Sequence, residues 1–262
     1  MSYTDIHCHL AWNVDDGIPT REDAAKALQM AAEDQIKTIV STPHLYPGYT
    51  DQEKFIEINQ RIDDLQVLAE EYGIRIVRGC EFHINDEAIN WLNQGIYNKI
   101  GNTRYMLCEF NPRVDISEVP YADDMLYEFL VKGIIPVIAH AERYFYRIDC
   151  DRIEKWSNMG CYIQVNRTSI MGYQGKAAEK NALELVKKGL CHVVATDAHR
   201  ASGTRIMKLC DAYERVTELA GTGNADLLFK KNPALLLEDS DLEDMHMVKQ
   251  GLFSRLRGKY RP

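Results

Sequence analysis

Seven short apolar runs alternate with longer amphipathic segments along this chain, and this alternation constrains the fold more than any other feature. Each run is rich in Ile, Val, Tyr or Leu and is short enough for a buried β-strand. Because strands that alternate with helices are joined by right-handed crossovers, the pattern predicts a parallel sheet. We expect an α/β fold, a distorted TIM-like (β/α)7 barrel, with an open doubly wound sheet as the alternative. In order, the runs are "YTDIHCHL", "IKTIVSTPH", "GIRIVRGCEFHI", "TRYMLCEF", "GIIPVIAHAER", "GCYIQVNR" and "LCHVVATDAH".

The segments between the runs carry the signals that begin and end helices. Thr20 precedes acidic residues and is the expected N-cap of the first helix. Thr50 and Glu53 have the spacing of a capping box at the start of the second helix, and Gly73 is its expected stop. The segment "EKNALELVKKG" also ends in glycine, at Gly189.

Length and composition limit the class of protein. The chain has 262 residues, 45% hydrophobic and 27% charged, which is typical of a soluble globular protein with a sizeable core. Its net charge of −8 argues against nucleic acid as the main partner, because phosphate binding needs a basic face. We see neither a membrane-spanning run nor a signal-peptide pattern. The seven cysteines have no pairing spacing, so we expect reduced thiols in a cytoplasmic protein.

The last residues differ in character from the rest of the chain. We expect residues 1–245 to form a single barrel domain and residues 246–262 to form a basic C-terminal tail. Such a tail could contact a membrane surface or a membrane-bound partner, and a solvated chain end is the alternative. Its basic and interleaved apolar residues are Lys249, Leu252, Phe253, Arg255, Leu256, Arg257, Lys259 and Arg261.

Ionisable side chains stand where six of the seven runs end. In an α/β barrel these ends meet at one face, where side chains from different strands converge. Burying so many ionisable groups needs compensating charge, which cations supply. We therefore predict a metal site, with Asp15 as an alternative to Asp16, and we interpret His83 and His192 as structural. The predicted ligands are His7, His9, Asp16, His44, Glu81, Glu109, His140, Asp197 and His199.

The number and type of these ligands indicate the cofactors. A catalytic ion uses three or four protein ligands, so nine ligands suit two or three ions with a carboxylate such as Glu81 as a bridge. Imidazole and carboxylate donors suit manganese, zinc or iron. We expect two or three divalent ions, with manganese as the first choice and zinc or iron as alternatives. Such a site at a barrel mouth is suited to hydrolysis of a phosphate monoester.

The strand ends, taken in order, resemble the PHP (polymerase and histidinol phosphatase) superfamily. The motifs that carry this resemblance are "DIHCH", "VDDG", "STPH", "GCE", "CEF", "AHAER" and "TDAH", and they span about residues 3–210. Within the superfamily, "DIHCHL", "TIVSTPH" and "PVIAHAERY" are most similar to the bacterial metal-dependent protein-tyrosine phosphatases of capsule and exopolysaccharide operons, the CpsB/YwqE type.

This resemblance implies a distorted (β/α)7 PHP barrel that holds three ions at the C-terminal face of its strands. It implies two phosphate-binding arginines, which we assign to Arg143 and Arg205, with Arg200 as an alternative for the second. It also implies a homo-oligomer whose substrate is the tyrosine-rich tail of a kinase that controls polysaccharide polymerisation. The implied ligand sets are His7, His9, Glu81 and Asp197 for one ion, Glu81, Glu109 and His140 for a second, and Asp16, His44 and His199 for a third.

Three functions remain open from the sequence. The first is a protein-tyrosine phosphatase acting on a bacterial tyrosine autokinase that regulates capsule or exopolysaccharide synthesis. The second is a PHP-type small-molecule phosphatase, for example for histidinol phosphate, and the third is a non-catalytic metal-containing regulator of polysaccharide assembly. Cys161 and Arg167 have the C-x5-R spacing of cysteine-dependent phosphatases, but the residues between them lack glycine and indicate a strand. The loop "HLYPGYTD" after His44 either stacks on a substrate ring or is a packed turn.

Overall fold

The computed structural model describes residues 2–246. Short 3-10 turns lie at Ile116–Glu118 and Ala141–Arg143, and a π-helical turn lies at Leu227–Lys231. The strands are β1 (Tyr3–Cys8), β2 (Ile36–Ser41), β3 (His44–Leu45), β4 (Arg75–Arg78), β5 (Glu81–His83), β6 (Tyr105–Glu109), β7 (Ile135–Ile138), β8 (Tyr162–Asn166) and β9 (Val193–Ala195). The helices are α1 (Arg21–Glu33), α2 (Gln52–Glu70), α3 (Ala88–Gln94), α4 (Ala122–Val131), α5 (Cys150–Met159), α6 (Arg167–Ile170), α7 (Lys176–Lys188), α8 (Cys210–Ala220), α9 (Thr222–Asp226) and α10 (Asn232–Leu237).

The strands pair in parallel and merge into seven consecutive segments. One hydrogen-bonded group has the order β1-β2-β4, and the other has the order β3-β5-β6-β7-β8-β9. The two groups are continuous, because β2 leads into β3 and β4 into β5 through bends of two residues. Backbone hydrogen bonds continue across the bends, from Gly79 N to the Ser41 carbonyl (3.0 Å) and from Glu81 N to the Pro43 carbonyl (3.0 Å). Each apolar run therefore contains one segment, and the prediction of seven strands is confirmed.

The ring closes between β9 and β1. His9 N donates a hydrogen bond to the carbonyl of Ala198 (2.9 Å), and Cys8 forms an isolated parallel bridge with the same residue. Nearby, the buried carboxylate of Asp5 accepts hydrogen bonds from the backbone N–H of Thr196 (3.0 Å) and from its hydroxyl. These contacts join the two ends of the sheet, so the fold is the predicted TIM-like α/β barrel rather than an open doubly wound sheet.

Two hydrophobic layers stabilise the barrel. One is an inner cluster built from buried residues of β1, β2, β4, β6, β7 and β9 together with Leu236 of α10, and Tyr162 of β8 packs against it. The larger cluster lies between the strands and the surrounding helices. Tyr105 and Leu107 of β6 belong to the inner cluster. Because side chains alternate along a strand, Glu109 at the end of β6 faces the same side, at the barrel mouth.

Three of the predicted helix signals are confirmed. Thr20 is the N-cap of α1, and its side chain accepts a hydrogen bond from Asp23 N (3.1 Å). Helix α7 ends at Gly189, whose φ of 73° is the left-handed conformation that glycine adopts without strain. Gly73 has a similar φ of 63° in the turn that follows α2.

The predicted capping box of α2 is wrong. The N-cap is Asp51, whose side chain accepts a hydrogen bond from Lys54 N (2.7 Å). The hydroxyl of Thr50 instead accepts a hydrogen bond from the backbone N–H of Tyr46 (3.0 Å). The loop after β3 therefore uses Thr50 to close on itself, which leaves the next residue to begin the helix.

The described chain ends in contact with the barrel. Asn224 pairs with the backbone of His246, accepting a hydrogen bond from its N–H (2.8 Å) and donating one to its carbonyl (3.0 Å). The predicted basic tail beyond residue 246 lies outside the described residues, and the domain boundary at residue 245 stays a prediction. Within residues 2–246, no helix combines the length and the apolar character that crossing a membrane requires.

Candidate metal centre

The first corner of the site is built by β1 and the loop that follows it. His7 lies near the end of β1, and His9 follows the strand. The chain then folds back at Gly17, where a Cβ would lie only 2.4 Å from the carbonyl oxygen of His9, so that only glycine permits this close approach. The fold-back buries Asp15, whose side chain is 5% exposed, and leaves Asp16 at 67% exposure.

Asp15 supports two of the predicted ligands from behind. Its Oδ2 accepts hydrogen bonds from His9 Nδ1 (2.7 Å) and from the backbone N–H of His44 (3.0 Å), and its Oδ1 accepts a third from within the same turn. Asp16 Oδ1 instead lies 3.4 Å from Nε2 of both His44 and His199. The geometry therefore favours Asp16 over Asp15 as a metal ligand.

Three imidazoles are held with Nε2 toward a common centre. His7 Nδ1 is 3.0 Å from Oε1 of Gln164, and this atom must be the amide oxygen because it also accepts a hydrogen bond from His140 N (3.0 Å). His9 Nδ1 contacts the carboxylate described above, and His199 Nδ1 contacts a backbone carbonyl (3.0 Å). When these imidazoles are neutral, Nδ1 carries the proton and Nε2 offers a lone pair.

Glu81 lies at this centre. Its Oε2 is 3.2 Å from Nε2 of His7, 3.1 Å from Nε2 of His9 and 3.1 Å from Nδ1 of His44. Its Oε1 is 2.8 Å from Nε2 of His140. The residue is almost fully buried, yet Oε2 has no hydrogen-bond partner of good geometry within residues 2–246. A buried carboxylate oxygen among imidazole nitrogens is an arrangement that a divalent cation completes, so the residues fit the predicted cofactor.

All nine predicted ligands take part in four overlapping groups, in each of which the ligand atoms lie within 4.8 Å of one another. His7, His9, His44 and Glu81 each belong to two groups, so neighbouring groups share ligands as a multinuclear site requires. The groups are His9, Asp16, His44 and His199; His7, His9 and Asp197; His7, Glu81 and His140; and His44, Glu81 and Glu109.

Carboxylates and imidazoles shift one another's titration in this centre. Burial lowers the pKa of His7, but attraction to Glu81 and Asp197 outweighs burial and raises this pKa to about 9. Burial alone would raise the pKa of the Glu81 and Asp197 carboxyl groups, but the neighbouring cationic groups hold each pKa well below its usual range. Protons therefore balance the carboxylates when no cation is bound, and a bound cation would displace them.

Two arginines meet Asp197 at the edge of the centre. Arg205 Nη2 donates to both carboxylate oxygens of Asp197 (2.9 and 3.0 Å), and Arg143 Nη1 lies 3.6 Å from Oδ2. Both side chains are partly exposed, and Arg205 Nε has no hydrogen-bond partner in the described part of the chain. Both guanidinium groups can therefore donate to an anion beside the predicted ligands.

The alternative arginine, Arg200, is engaged elsewhere. Its Nη1 donates to the backbone carbonyls of Asp16 (2.7 Å), Gly17 (2.9 Å) and His199 (2.7 Å). These bonds tie the loop after β1 to the loop after β9. The geometry therefore favours Arg205 as the second anion-binding arginine.

Two predicted ligands have a strained backbone. His140 has φ 34° and ψ 49°, and Asp197 has φ 52°; each lies two residues after the end of its strand, β7 and β9 respectively. A non-glycine residue in this left-handed region costs about 1–3 kcal/mol and persists where its surroundings over-determine it, commonly at functional sites. Here the left-handed conformation turns the backbone where each strand ends beside the metal centre.

Seven of the nine predicted ligands and both arginines line one cavity of about 510 Å³, a size typical of small-molecule sites. His7 and His9 lie beneath its floor and are fully buried. The residues that line it are Asp16, His44, Tyr46, Glu81, His83, Glu109, Asn111, Pro112, Arg113, His140, Arg143, Asp197, His199 and Arg205.

Several lining residues were not predicted. His83, interpreted above as structural, lies in the cavity wall with Nδ1 3.3 Å from Glu109 Oε1. Its position two residues after Glu81 was a usable signal, because alternate residues of a strand share a face. The loop after β3 does lie beside the site, and its Tyr46 ring stacks on His44 (centroids 5.2 Å apart, 29° between planes). The remaining unpredicted lining residues, from the loop after β6, are Asn111, Pro112 and Arg113.

Other candidate groups are placed apart from this cavity. His192 is buried, and its Nδ1 accepts a hydrogen bond from the backbone N–H of Ile163 (3.1 Å). Burial raises the pKa of the Cys161 thiol to about 12, so the thiolate that a cysteine-dependent mechanism needs is disfavoured. Arg167 forms an ion pair with Asp211 (2.6 Å). The contacts of His192, Cys161 and Arg167 are therefore structural.

Comparison with known proteins agrees with this geometry. A family model described as "Capsular polysaccharide synthesis, CpsB/CapC" matches residues 3–238. The chain is 30% identical over 244 residues to the tyrosine-protein phosphatase CpsB of Streptococcus pneumoniae, an alignment that covers 90% of this chain and 98% of that protein.

Solved structures give the same result. A chain from the crystal structures of YwqE from Bacillus subtilis and CpsB from Streptococcus pneumoniae, described as unique metal-dependent tyrosine phosphatases, matches with a TM-score of 0.76 and 28% identity, covering 92% of this chain and 96% of that chain. A histidinol phosphate phosphatase from Lactococcus lactis matches with a TM-score of 0.55 and 14% identity, covering 86% of this chain and 94% of that chain, which is a likeness of fold alone. This chain belongs to the CpsB/CapC family of capsular polysaccharide synthesis.

Proposed function

We propose that this chain is a metal-dependent protein-tyrosine phosphatase of capsule or exopolysaccharide synthesis. Its substrate is the phosphotyrosine tail of a bacterial tyrosine autokinase, and its cofactors are two or three divalent ions, manganese by preference. The proposal is carried by the convergence of nine His, Asp and Glu side chains, seven of which line one cavity together with two arginines. The names of the relatives, which are tyrosine-protein phosphatases, support the choice of phosphotyrosine.

The proposed ligand sets are those that the family resemblance implies, and the geometry of the site supports part of them. The position of Glu81 Oε2 between three imidazole nitrogens supports its role as a ligand shared by two ions. Bound there, the ions supply Lewis-acid stabilisation to the oxygens of a phosphate ester. The sets implied by the resemblance are His7, His9, Glu81 and Asp197; Glu81, Glu109 and His140; and Asp16, His44 and His199.

The phosphate is bound and oriented by groups of the chain itself. Arg143 and Arg205 donate to phosphate oxygens from the cavity wall, where charge builds during hydrolysis. Asp197 holds the Arg205 guanidinium through two hydrogen bonds, so that its orientation is set before substrate arrives.

An aryl ester suits this cavity. The Tyr46 side chain is 38% exposed and lines the cavity beside the candidate ligands, so a substrate ring can pack on it. The phenolate of tyrosine has a pKa of about 10 and therefore needs less protonation on leaving than an alkoxide does. Both features favour phosphotyrosine over phosphoserine.

The cellular setting is part of the proposal. We expect a cytoplasmic homo-oligomer that contacts a membrane-bound kinase, with residues 246–262 as the contacting tail and no nucleic-acid partner. The net charge of −8 supports the expectation of no nucleic-acid partner. The basic and apolar residues of the tail, read from the sequence alone, support contact with the membrane-bound kinase.

A phosphatase assay on the purified protein tests the proposal. Phosphotyrosine peptide, phosphoserine peptide and histidinol phosphate are compared with and without chelator, together with metal analysis. The double variant His7→Ala/His9→Ala removes two proposed ligands, and Cys161→Ser serves as the matched control. We expect chelator-sensitive hydrolysis of phosphotyrosine that the double variant loses and the control keeps.

The alternatives predict different results. Preference for histidinol phosphate would identify a small-molecule phosphatase. Two or three bound ions without hydrolysis of any phosphoester would identify a non-catalytic regulator. Loss of activity in Cys161→Ser with its metal content intact would contradict a metal-dependent mechanism.

A further inference from the structure

Arg113 stands at the cavity on a loop with a well-anchored backbone. The loop follows β6 and is bonded to the loop after β7 at two points. Ile116 N donates to the carbonyl of Tyr144 (2.8 Å), and Asp115 Oδ2 accepts a hydrogen bond from Tyr146 N (3.0 Å). Ile116 is also fully buried. The backbone that carries Arg113 is therefore positioned before any substrate binds.

The guanidinium group of Arg113 has no partner in the described part of the chain, in contrast to the anchored loop backbone. Within residues 2–246 no carboxylate forms an ion pair with this group. The one hydrogen bond that Arg113 makes there is donated by its backbone N–H to Asn111 Oδ1 (3.0 Å). Arg143 and Arg205 differ in this respect, because both lie against Asp197. An exposed, unpaired cation at the mouth of a substrate cavity attracts an anionic group of the substrate.

Two sources could supply that anionic group: the reacting phosphate or a carboxylate of the polypeptide around it. The phosphate already has two arginines and the proposed metal ligands beside it. Arg113 is exposed, and it extends the cavity wall on the side of the loop after β6. A group there is placed to meet residues that flank the phosphotyrosine of a polypeptide.

We propose that Arg113 is a specificity-determining residue that binds an aspartate or glutamate next to the phosphotyrosine of a polypeptide substrate. The inference rests on the proposed function, because it concerns the mouth of the same cavity. It assigns to the phosphatase a preference for acidic peptides that neither the metal ligands nor the two phosphate-binding arginines explain.

The test compares phosphotyrosine peptides that differ only in whether Asp, Ala or Lys flanks the phosphorylated residue. The proteins are the wild type, Arg113→Ala and Arg113→Glu, with p-nitrophenyl phosphate as a substrate that has no flanking residues. Arg147→Ala is the matched control, because Arg147 is exposed on the neighbouring loop but lines a different depression. Thermal unfolding checks that each variant folds.

We expect the wild type to prefer the acidic peptide over the neutral one by about fivefold, the effect of a partly exposed ion pair, and to show this preference in KM. Arg113→Ala should abolish the preference, and Arg113→Glu should prefer the lysine peptide. Hydrolysis of p-nitrophenyl phosphate should be unchanged in both. The wild-type preference should also weaken as salt is raised, because salt screens exposed charges.

Other outcomes overturn the inference. If Arg113→Ala slows p-nitrophenyl phosphate and every peptide by the same factor, Arg113 acts on the phosphate itself. If the active wild type treats acidic and neutral peptides alike, the inference fails while the proposed function stands. If the wild type hydrolyses no phosphotyrosine substrate, the proposed function fails and the inference with it.

Discussion

Replacing each of the two adjacent aspartates after β1 by asparagine should separate a supporting residue from a ligand. Asp15→Asn and Asp16→Asn are chemically identical changes at neighbouring positions. Asp15 is buried and accepts three hydrogen bonds, two of them from His9 and His44. The carboxylate of Asp16 is largely exposed, and within residues 2–246 its contacts are with the imidazole nitrogens of His44 and His199. We expect Asp15→Asn to destabilise the metal-free fold and Asp16→Asn to leave it nearly unchanged.

The magnitude for Asp15 follows from its surroundings. Burial raises the pKa of Asp15, but attraction to His9 and its hydrogen bonds outweigh burial and lower the pKa to about 2. A lowering from 3.8 to about 2 corresponds to about 2 kcal/mol of stability at neutral pH. Because the folded-state pKa lies below the unfolded value, this contribution is complete above pH ~4 and is lost as the pH falls toward 2. An asparagine amide also points a donor at a backbone N–H, which adds about 1 kcal/mol or more.

Urea unfolding of chelator-treated protein at pH 7, followed by tryptophan fluorescence, measures the difference. We expect Asp15→Asn to lose about 2–4 kcal/mol and Asp16→Asn less than about 0.5 kcal/mol, because water screens an exposed carboxylate. Metal analysis of the untreated proteins gives the second readout. Asp15→Asn removes a hydrogen-bond partner of the ligand His9, a loss that costs about 10–100-fold in metal affinity. Asp16→Asn removes a proposed ligand itself, so both variants should bind metal more weakly.

Two results would refute this reasoning. One is a larger loss of stability in Asp16→Asn than in Asp15→Asn. The other is full metal content and full activity in Asp16→Asn. The first result would mean that Asp16 rather than Asp15 supports the metal-free fold, and the second would mean that the exposed carboxylate is not a ligand.

Three further predictions concern the metal, the arginines and a histidine distant from the site. Adding manganese to chelator-treated protein at about 100 times its Kd should raise the free energy of unfolding by about 2.7 kcal/mol, and an unchanged thermal melt would contradict a folded-state metal site. Arg205→Ala should lower kcat for phosphotyrosine by roughly 10²-fold or more with little loss of stability, whereas Arg200→Ala should first lower the melting temperature, because its guanidinium holds backbone carbonyls together. Burial lowers the pKa of His192 to about 4, so its contribution of about 3 kcal/mol is complete above pH ~6.5 and is lost as the pH falls to about 4. His192→Asn, which keeps an acceptor for Ile163 N, should flatten this part of the stability–pH curve, and an unchanged curve would show that other groups cause it.

The strands and most site residues could be predicted because each depends on a local, periodic property. A strand buried on both faces must be a continuous apolar run, so the seven runs marked the seven segments of the barrel. The C-terminal ends of parallel strands meet at one face, so ionisable residues at those ends were expected to meet. His7, His44 and Asp197 do come together, although they lie far apart in the chain.

One prediction was wrong and one lining residue was missed, in each case where a side chain had two possible partners. Thr50 could cap α2 or close the loop after β3, and the loop contact to Tyr46 prevails while Asp51 caps the helix. His83 could pack in the fold or face the cavity, and it lies in the cavity wall beside Glu109. In both cases the partner that prevails is brought close by the fold, and the local pattern does not contain it.

The sequence by itself determined the fold class, the face of the barrel that carries the site and the donor types that gather there, because strand periodicity and strand direction are encoded locally. Only the tertiary structure distinguishes Asp15 from Asp16 and Arg200 from Arg205, since these pairs differ in which neighbouring loop each side chain meets. It alone places Arg113 at the cavity, with a guanidinium that has no ion-pair partner within residues 2–246. The direction of a side chain on a loop is set by packing between segments distant in the chain, which no local pattern specifies.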